Sequence, residues 1–180
     1  MSQTTHPEAS STSTKTPSGA HHENDDREYL TFRLGEEEYG VDILKVQEIR
    51  SYDTVTKLPD APEYIKGVIN LRGTIVPIVD MRLRFRMAAA NYDEFTVMIM
   101  ISVEDRIVGL VVDGVSDVIT LDDEHIRPPP EISAGSLDTR FITGLGAIDD
   151  HLLILVDIDQ LVGREGLALT DHAGTSQSTH

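Results

Sequence analysis

Residues 29–34 read Tyr-Leu-Thr-Phe-Arg-Leu, with Leu30, Phe32 and Leu34 on one parity and Thr31 and Arg33 on the other. Alternation of period two predicts a half-buried strand. Gly35 to Glu38 make an acidic turn into Tyr39-Gly40-Val41. Asp42 is placed to cap one helical turn through Ile43, Leu44 and Val46, after which Gln47 to Tyr52 returns to strand. Pro59 to Pro62 is a loop, and Glu63 to Lys66 reads as one helical turn. Lys66 to Asp80 is the most informative stretch. Two short apolar runs, Val68-Ile69 and Ile75-Val76, flank a polar break in which Arg72-Gly73 supplies a turn. Gly67 and Gly73 bracket the first run, where sharp bends are expected. Pro77 has no N–H to donate, so its strand is expected at a sheet edge or with a bulge. An edge is a place where another chain can dock.

Beyond Asp80, Met81 to Phe85 is a short amphipathic turn and Met87 to Asn91 a flexible link. Three strands follow, Phe95 to Val103, Arg106 to Val112 and Val115 to Leu121, the first two joined at Glu104-Asp105. Pro128-Pro129-Pro130 starts a rigid, extended connection. Phe141 to Ile148 and Leu152 to Val156 form a last hairpin around Asp149-Asp150, and Asp157 caps a short helix that ends near Gly163.

The pattern repeats. Ile65-x-Gly67 followed by Val79-Asp80 matches Ile142-x-Gly144 followed by Val156-Asp157 at an offset of 77. Gly40-Val41 and Val46-x-Glu48-Ile49 match Gly109-Leu110 and Val115-x-Asp117-Val118 at an offset of 69. The difference between the offsets is an insertion in the second copy, and it falls at the three prolines. Two related β units of about five short strands each are expected.

Composition bounds what such units can do. Residues 1–26 are rich in Ser, Thr, His and acids without apolar periodicity, 165–180 are small and polar apart from Leu167 and Leu169, and both read as disordered tails around one folded region, 27–164. The formal net charge of −16 argues against nucleic-acid or anionic-membrane partners, which need clustered Lys and Arg. There is no cysteine, hence no disulfide frame and no thiol chemistry, which is compatible with a cytoplasmic home. The longest apolar runs, 97–101 and 152–156, have five residues each, whereas a bilayer-spanning helix needs roughly 20.

Candidate chemistry is thin. Asp122-Asp123-Glu124-His125 superficially resembles metal ligands, but four consecutive side chains point in different directions, and a solvated turn explains them better. His21-His22 lies in a tail, and Asp149-Asp150-His151 sits at a hairpin tip where water dilutes any pKa shift. No glycine-rich loop leads into a helix and no serine sits in a nucleophile elbow. The reading is therefore of a protein without catalysis, metal or cofactor. Arg72 is either a turn residue facing solvent or a charged anchor beside an apolar surface. Val46 and Glu48 have the same two readings, as core and solvated rim or as floor and rim of a docking surface.

Four stretches in order, 36–50 (EEEYGVDILKVQEIR), 66–82 (KGVINLRGTIVPIVDMR), 109–121 (GLVVDGVSDVITL) and 142–158 (ITGLGAIDDHLLILVDI), resemble the CheW family of bacterial chemotaxis coupling proteins, over about Tyr29 to Val162. The resemblance implies an all-β fold of two SH3-like five-stranded β-barrel lobes with an apolar groove between them and a few short helices. The lobes are expected at roughly 36–90 and at 27–35 plus 91–164. It implies an adaptor at membrane-associated receptor arrays in the cytoplasm. Its partners would be the hairpin tip of transmembrane chemoreceptors and the regulatory domain of the histidine kinase CheA. Carried over by position, the receptor-facing residues are Val46, Glu48, Gly67, Asn70, Arg72 and Val97. Kinase contacts fall at Ile49, Val55 and Lys66, and on the opposite lobe at Arg127, Glu131 and Ile132. Ile132 stands where family members can carry an aromatic. A CheW-like module of a larger scaffold and a small acidic hydrolase on β-barrels are the competing readings. The hydrolase needs titratable groups converging in one cleft.

Overall fold

Strands form wherever the sequence alternates or runs β-branched, and short capped turns join them. The computed structural model describes residues 26–88, 91–130 and 139–163. In chain order the strands are β1 (Arg27–Leu34), β2 (Glu37–Asp42), β3 (Val46–Ser51), β4 (Ile65–Leu71), β5 (Thr74–Asp80) and β6 (Val97–Val103). They continue with β7 (Arg106–Val112), β8 (Gly114–Leu121), β9 (Ile126–Arg127), β10 (Ile142–Ile148) and β11 (His151–Val156). Two short helices, α1 (Met81–Arg84) and α2 (Ile158–Val162), each follow a hairpin. Asp80 caps α1 by accepting from the N–H groups of Arg82 and Leu83, and Asp157 caps α2 by accepting from that of Gln160.

The strands make two sheets. One has six strands in the order β8-β1-β2-β11-β10-β9, the other five in the order β3-β6-β7-β5-β4. The all-β class is as expected; the first sheet exceeds five strands through the two-residue β9.

The duplication is visible in three dimensions. The β4–β5 hairpin slips register between Ile65 and Gly67, and β10–β11 slips at the matching place between Ile142 and Gly144. Parallel pairing sets Ile78 opposite Gly109 in one sheet and Leu155 opposite Gly40 in the other, again matching pairs. Both glycines make room for that neighbour: a Cβ on Gly109 would lie 2.4 Å from Ile78 Cδ1, and one on Gly40 2.9 Å from Leu155 Cδ2.

Yet the repeats are interlaced. The first hairpin of the chain, β1–β2, joins β8 to β11, while β6–β7 sits between β3 and β5. Strand pairing thus divides the chain at about residues 42–46 and 112–114, where the expected lobes broke near 36 and 91. β2 and β6–β7 move to the other side of that division, because each hairpin keeps its two strands together and crosses as a unit.

Three clusters of buried apolar side chains follow from this layering. The largest lies between the sheets and includes Phe32, Leu34, Ile99, Ile101, Leu110 and Leu161. A second, inside the five-stranded sheet, holds Leu71, Val76, Ile78, Met98, Met100 and Val111. A third, inside the six-stranded sheet, holds Tyr29, Leu121, Leu153 and Leu155. β6 serves two of them by alternation, Met98 and Met100 to one and Ile99 and Ile101 to the other. That is why 97–101 is an unbroken apolar run.

Other details differ from expectation. Thr31 is buried, because its hydroxyl accepts from Asp117 N–H at 3.0 Å across the β1–β8 ladder. β5 is an inner strand, but pairing with β7 begins only at Ile78, so Pro77 has a ladder neighbour on the β4 side alone. β4 is the outer strand, and Thr56 covers it with reciprocal backbone bonds to Val68 of 2.9 and 2.8 Å. The turn expected over Glu63 to Lys66 is cut short as β4 begins at Ile65. Residues 1–25 and 164–180, covering nearly all of both expected tails, lie outside the described residues, as does 131–138 with Glu131 and Ile132.

Candidate functional site

The hairpin that carries Arg72 is pinned before any side chain reaches out. Leu71 faces Thr74, so Arg72 and Gly73 are the two central turn residues, with φ of 49° and 87°. Both values are positive, the conformation of a tight type I′ hairpin turn. Asn70 fixes it further, its Oδ1 accepting from Gly73 N–H at 2.8 Å. Asn70 thus serves the turn itself.

From that turn Arg72 reaches across to β3. Nη1 and Nη2 both donate to Glu48 Oε2 at 3.3 Å. Arg50 Nη1 stands 3.7 Å from the other Glu48 oxygen. Arg72 keeps 73 % of its side chain exposed. An exposed pair of this kind contributes about 0–1 kcal/mol to the fold, so it mainly orients the guanidinium. It also links the two outermost strands of the five-stranded sheet, whose inner face encloses Tyr52, Val55 and Ile69 against the second core cluster.

Register sorts the neighbours. Val46 faces Ile101, Ile49 faces Ile99 and Ser51 faces Val97, which puts Val46, Ile49 and Val97 on the side of β3–β6 that meets the inter-sheet core. Glu48 and Arg50 face Met100 and Met98, on the opposite side. A register slip between Val46 and Glu48 makes this split possible. The space between the sheets is a packed core, so the apolar strip left at its edge is Val46 and Val97, half-buried, with Ile49 at 45 % exposure.

The expected receptor set is therefore not one patch. Arg72, Glu48 and Asn70 flank one side of the free edge of β3, and Val46 and Val97 the other, where Ile49 from the expected kinase set joins them. Gly67 offers no surface. It is buried with φ of 145°, and a Cβ there would lie 2.1 Å from the Thr56 carbonyl oxygen. Its place in the motif comes from this close backbone approach.

Of the other expected kinase contacts, Val55 is half-buried against the second core cluster. Lys66 sets its ammonium 5.2 Å from the Tyr92 ring centroid. Tyr92 stacks on Tyr52 at 4.6 Å and donates to the buried carboxylate of Asp80. Burial, and then that carboxylate, pushes the Tyr92 hydroxyl well above the usual tyrosine range. Arg127 is exposed on β9, in the other sheet.

Sequence reading missed Tyr92, Ile75 and Phe95 as surface features. Ile75 is 63 % exposed and Phe95 59 %. Ile75 was legible in principle, since it alternates with the buried Val76. Phe95 lies in a turn just before β6, where periodicity is silent. Asp122, Asp123 and His125 form the expected turn: Asp122 caps residues 123–125 and contacts His125 Nδ1 at 2.5 Å, which holds its carboxyl below the usual range. His151 instead meets Glu38 of β2 at 3.1 Å.

The model of the CheW-like domain matches residues 28–166. A chemotaxis protein CheW of Klebsiella aerogenes is 54 % identical over 150 residues, covering 83 % of this chain and 90 % of that protein. One of Rhizobium meliloti is 41 % identical, covering 83 % and 96 %. The crystal structure of the scaffolding protein TtCheW from Thermoanaerobacter tengcongensis superposes with a TM-score of 0.71 at 35 % identity, covering 78 % of this chain and 94 % of that one. With the interlaced two-sheet fold carrying that match from β1 to α2, the chain belongs to the CheW family.

Proposed function

We propose that this chain is a non-catalytic chemotaxis adaptor that couples the cytoplasmic hairpin tip of transmembrane chemoreceptors to the histidine kinase CheA. The single observation that carries the reading is the exposed Arg72 guanidinium held by Glu48 beside the free edge of β3. A helical receptor tip lays apolar side chains on the strip of Val46, Ile49 and Val97. Apolar burial of that kind contributes about 25 cal/mol per Å² before the cost of association is subtracted. Arg72 then pairs with a receptor carboxylate and sets register more than affinity. The regulatory domain of CheA contacts the side of Lys66 and Val55, and a ring contact forms at Arg127, Glu131 and Ile132. Each contact stays weak, and an array of many copies at the membrane raises the effective concentration. The position in the cell is thus cytoplasmic, at receptor arrays, and no cofactor is required.

Co-sedimentation with a chemoreceptor cytoplasmic fragment and CheA is the direct test. The chain is expected to pellet with both and to raise kinase activity in the receptor's presence. Failure to pellet with either partner would overturn the proposal.

A further inference from the structure

We propose that the six-stranded sheet carries a second docking cleft, built to take an arginine side chain that a partner protein presents from an apolar stretch. The duplication supplies the argument. Asp117 and Val118 of β8 stand where Glu48 and Ile49 stand in β3. Asp149, in the β10–β11 turn, stands where Arg72 stands in the β4–β5 turn, and the backbones agree, with φ of 48° and 49°. In the first half, the acid on the outer strand holds the guanidinium from the turn at 3.3 Å. In the second half the acid remains and the arginine has become another acid.

The cleft reflects this exchange. Beside Arg72 the space between the end of β3 and β4 is about 230 Å³, lined by residues that include Arg50 and Asn70. Its counterpart, between the end of β8 and the β10–β11 turn, is about 610 Å³. Ile119, Leu121, Ala147 and Ile148 give it an apolar floor, Asp26 and Asp149 stand on its rim beside Asp122, whose carboxylate is engaged by His125, and no lysine or arginine lines it among the described residues. Leu152, 54 % exposed, faces Ala147 across the hairpin, and Val118 is 44 % exposed on β8. The surface thus offers carboxylates for a cation and apolar area for what flanks it. A guanidinium fits better than an ammonium because its planar fork presents several N–H donors at fixed geometry, two of which Arg72 directs at one Glu48 oxygen in the sister half. In trans it would restore what the first half has in cis. The overall charge of −16 draws basic segments to the protein but does not choose a place on it, so the test must resolve position.

The full-length ¹⁵N-labelled chain is titrated with a short synthetic peptide of Leu-Arg-Ala-Ala repeats and with its glutamine counterpart. The arginine peptide is expected to bind saturably and to shift the amides of residues 117–122 and 147–149. The glutamine peptide is expected to bind roughly tenfold more weakly or not at all. Asp149→Asn and, separately, Asp117→Asn are each expected to weaken binding several-fold. Asn keeps the left-handed turn conformation available at position 149. Asp149→Arg, which supplies the guanidinium in cis, is expected to block it. Arg72→Asp is expected to leave it unchanged, which separates this cleft from the receptor-facing surface at Arg72. Non-saturating shifts spread over the acidic surface, equal binding of the glutamine peptide, or indifference to both Asn variants would overturn the proposal.

Discussion

Arg82 grips Asp113 with two hydrogen bonds, Nε to Oδ1 at 2.6 Å and Nη2 to Oδ2 at 2.5 Å. Arg82 belongs to α1 of the first repeat and Asp113 to the β7–β8 corner of the second. Asp113 also accepts from Gly35 N–H at 2.7 Å, so one carboxylate ties α1, β8 and the β1–β2 turn. The second repeat answers with charges reversed: Asp159 of α2, in the place of Arg82, meets Lys45 at 3.0 Å. Interlaced repeats thus share a pair of clamps at equivalent corners.

The two clamps predict unequal losses. Asp113→Ala removes a bidentate, half-buried pair and a backbone bond, and is expected to cost about 1–3 kcal/mol. Lys45→Ala breaks a single, more exposed contact and is expected to cost less than about 1 kcal/mol. Urea unfolding of both variants measures the difference, and equal losses would show that Asp113 does not join the halves.

Gly67 and Gly73 predict a second contrast. Gly67→Ala drives a methyl group into the Thr56 carbonyl at a positive φ, and is expected to cost about 3 kcal/mol or more. Gly73→Ala meets open space at φ of 87° and is expected to cost about 1 kcal/mol. Any loss of partner binding in Gly67→Ala should then follow the unfolded fraction. Thermal melts run beside binding assays test this, and a fully folded Gly67→Ala protein with lost binding would return Gly67 to the contact surface.

Arg72→Asp is expected to leave circular dichroism and melting nearly unchanged, since the pair it breaks is exposed. It also places two carboxylates together at the β3 edge, which repels an acidic receptor group. Receptor-dependent activation of CheA in a reconstituted assay is expected to fall at least tenfold, and unchanged activation would remove Arg72 from the coupling surface.

Much of this was legible in the sequence, for local reasons. The Arg72-Gly73 turn, the caps at Asp42 and Asp157, and the match of the 65–80 and 142–156 hairpins all depend on residues close in the chain. What sequence reading missed is non-local. Nothing in β2 announces a parallel partner in β11, and the alternation that placed Thr31 toward water was overridden by its bond to Asp117 on a distant strand. The candidate site shows the same limit. Position alone grouped Val46 with Glu48, and a register slip sends them to opposite faces.

Alkaline pH should unfold the protein through its tyrosines. Burial raises Tyr29, Tyr39, Tyr52 and Tyr92 above their ordinary range, and Asp80 raises Tyr92 further. A group with a raised folded-state pKa binds its proton more tightly when folded. Its contribution is whole below the unfolded value of about 10 and is lost as pH climbs toward the folded one. Stability is therefore expected to be flat toward tyrosine ionisation through neutral pH and to fall above about pH 10. Tyr92→Phe removes the hydroxyl that donates to buried Asp80, which is expected to cost about 1–2 kcal/mol near neutrality. The same change removes one ionising group, so its alkaline decline should be shallower than that of the parent chain. Denaturant unfolding from pH 7 to 11 compares the slopes. Parallel declines would mean that Tyr92 keeps its proton no more tightly when folded than when unfolded, and the stack over Tyr52 would then lose its anchor in Asp80.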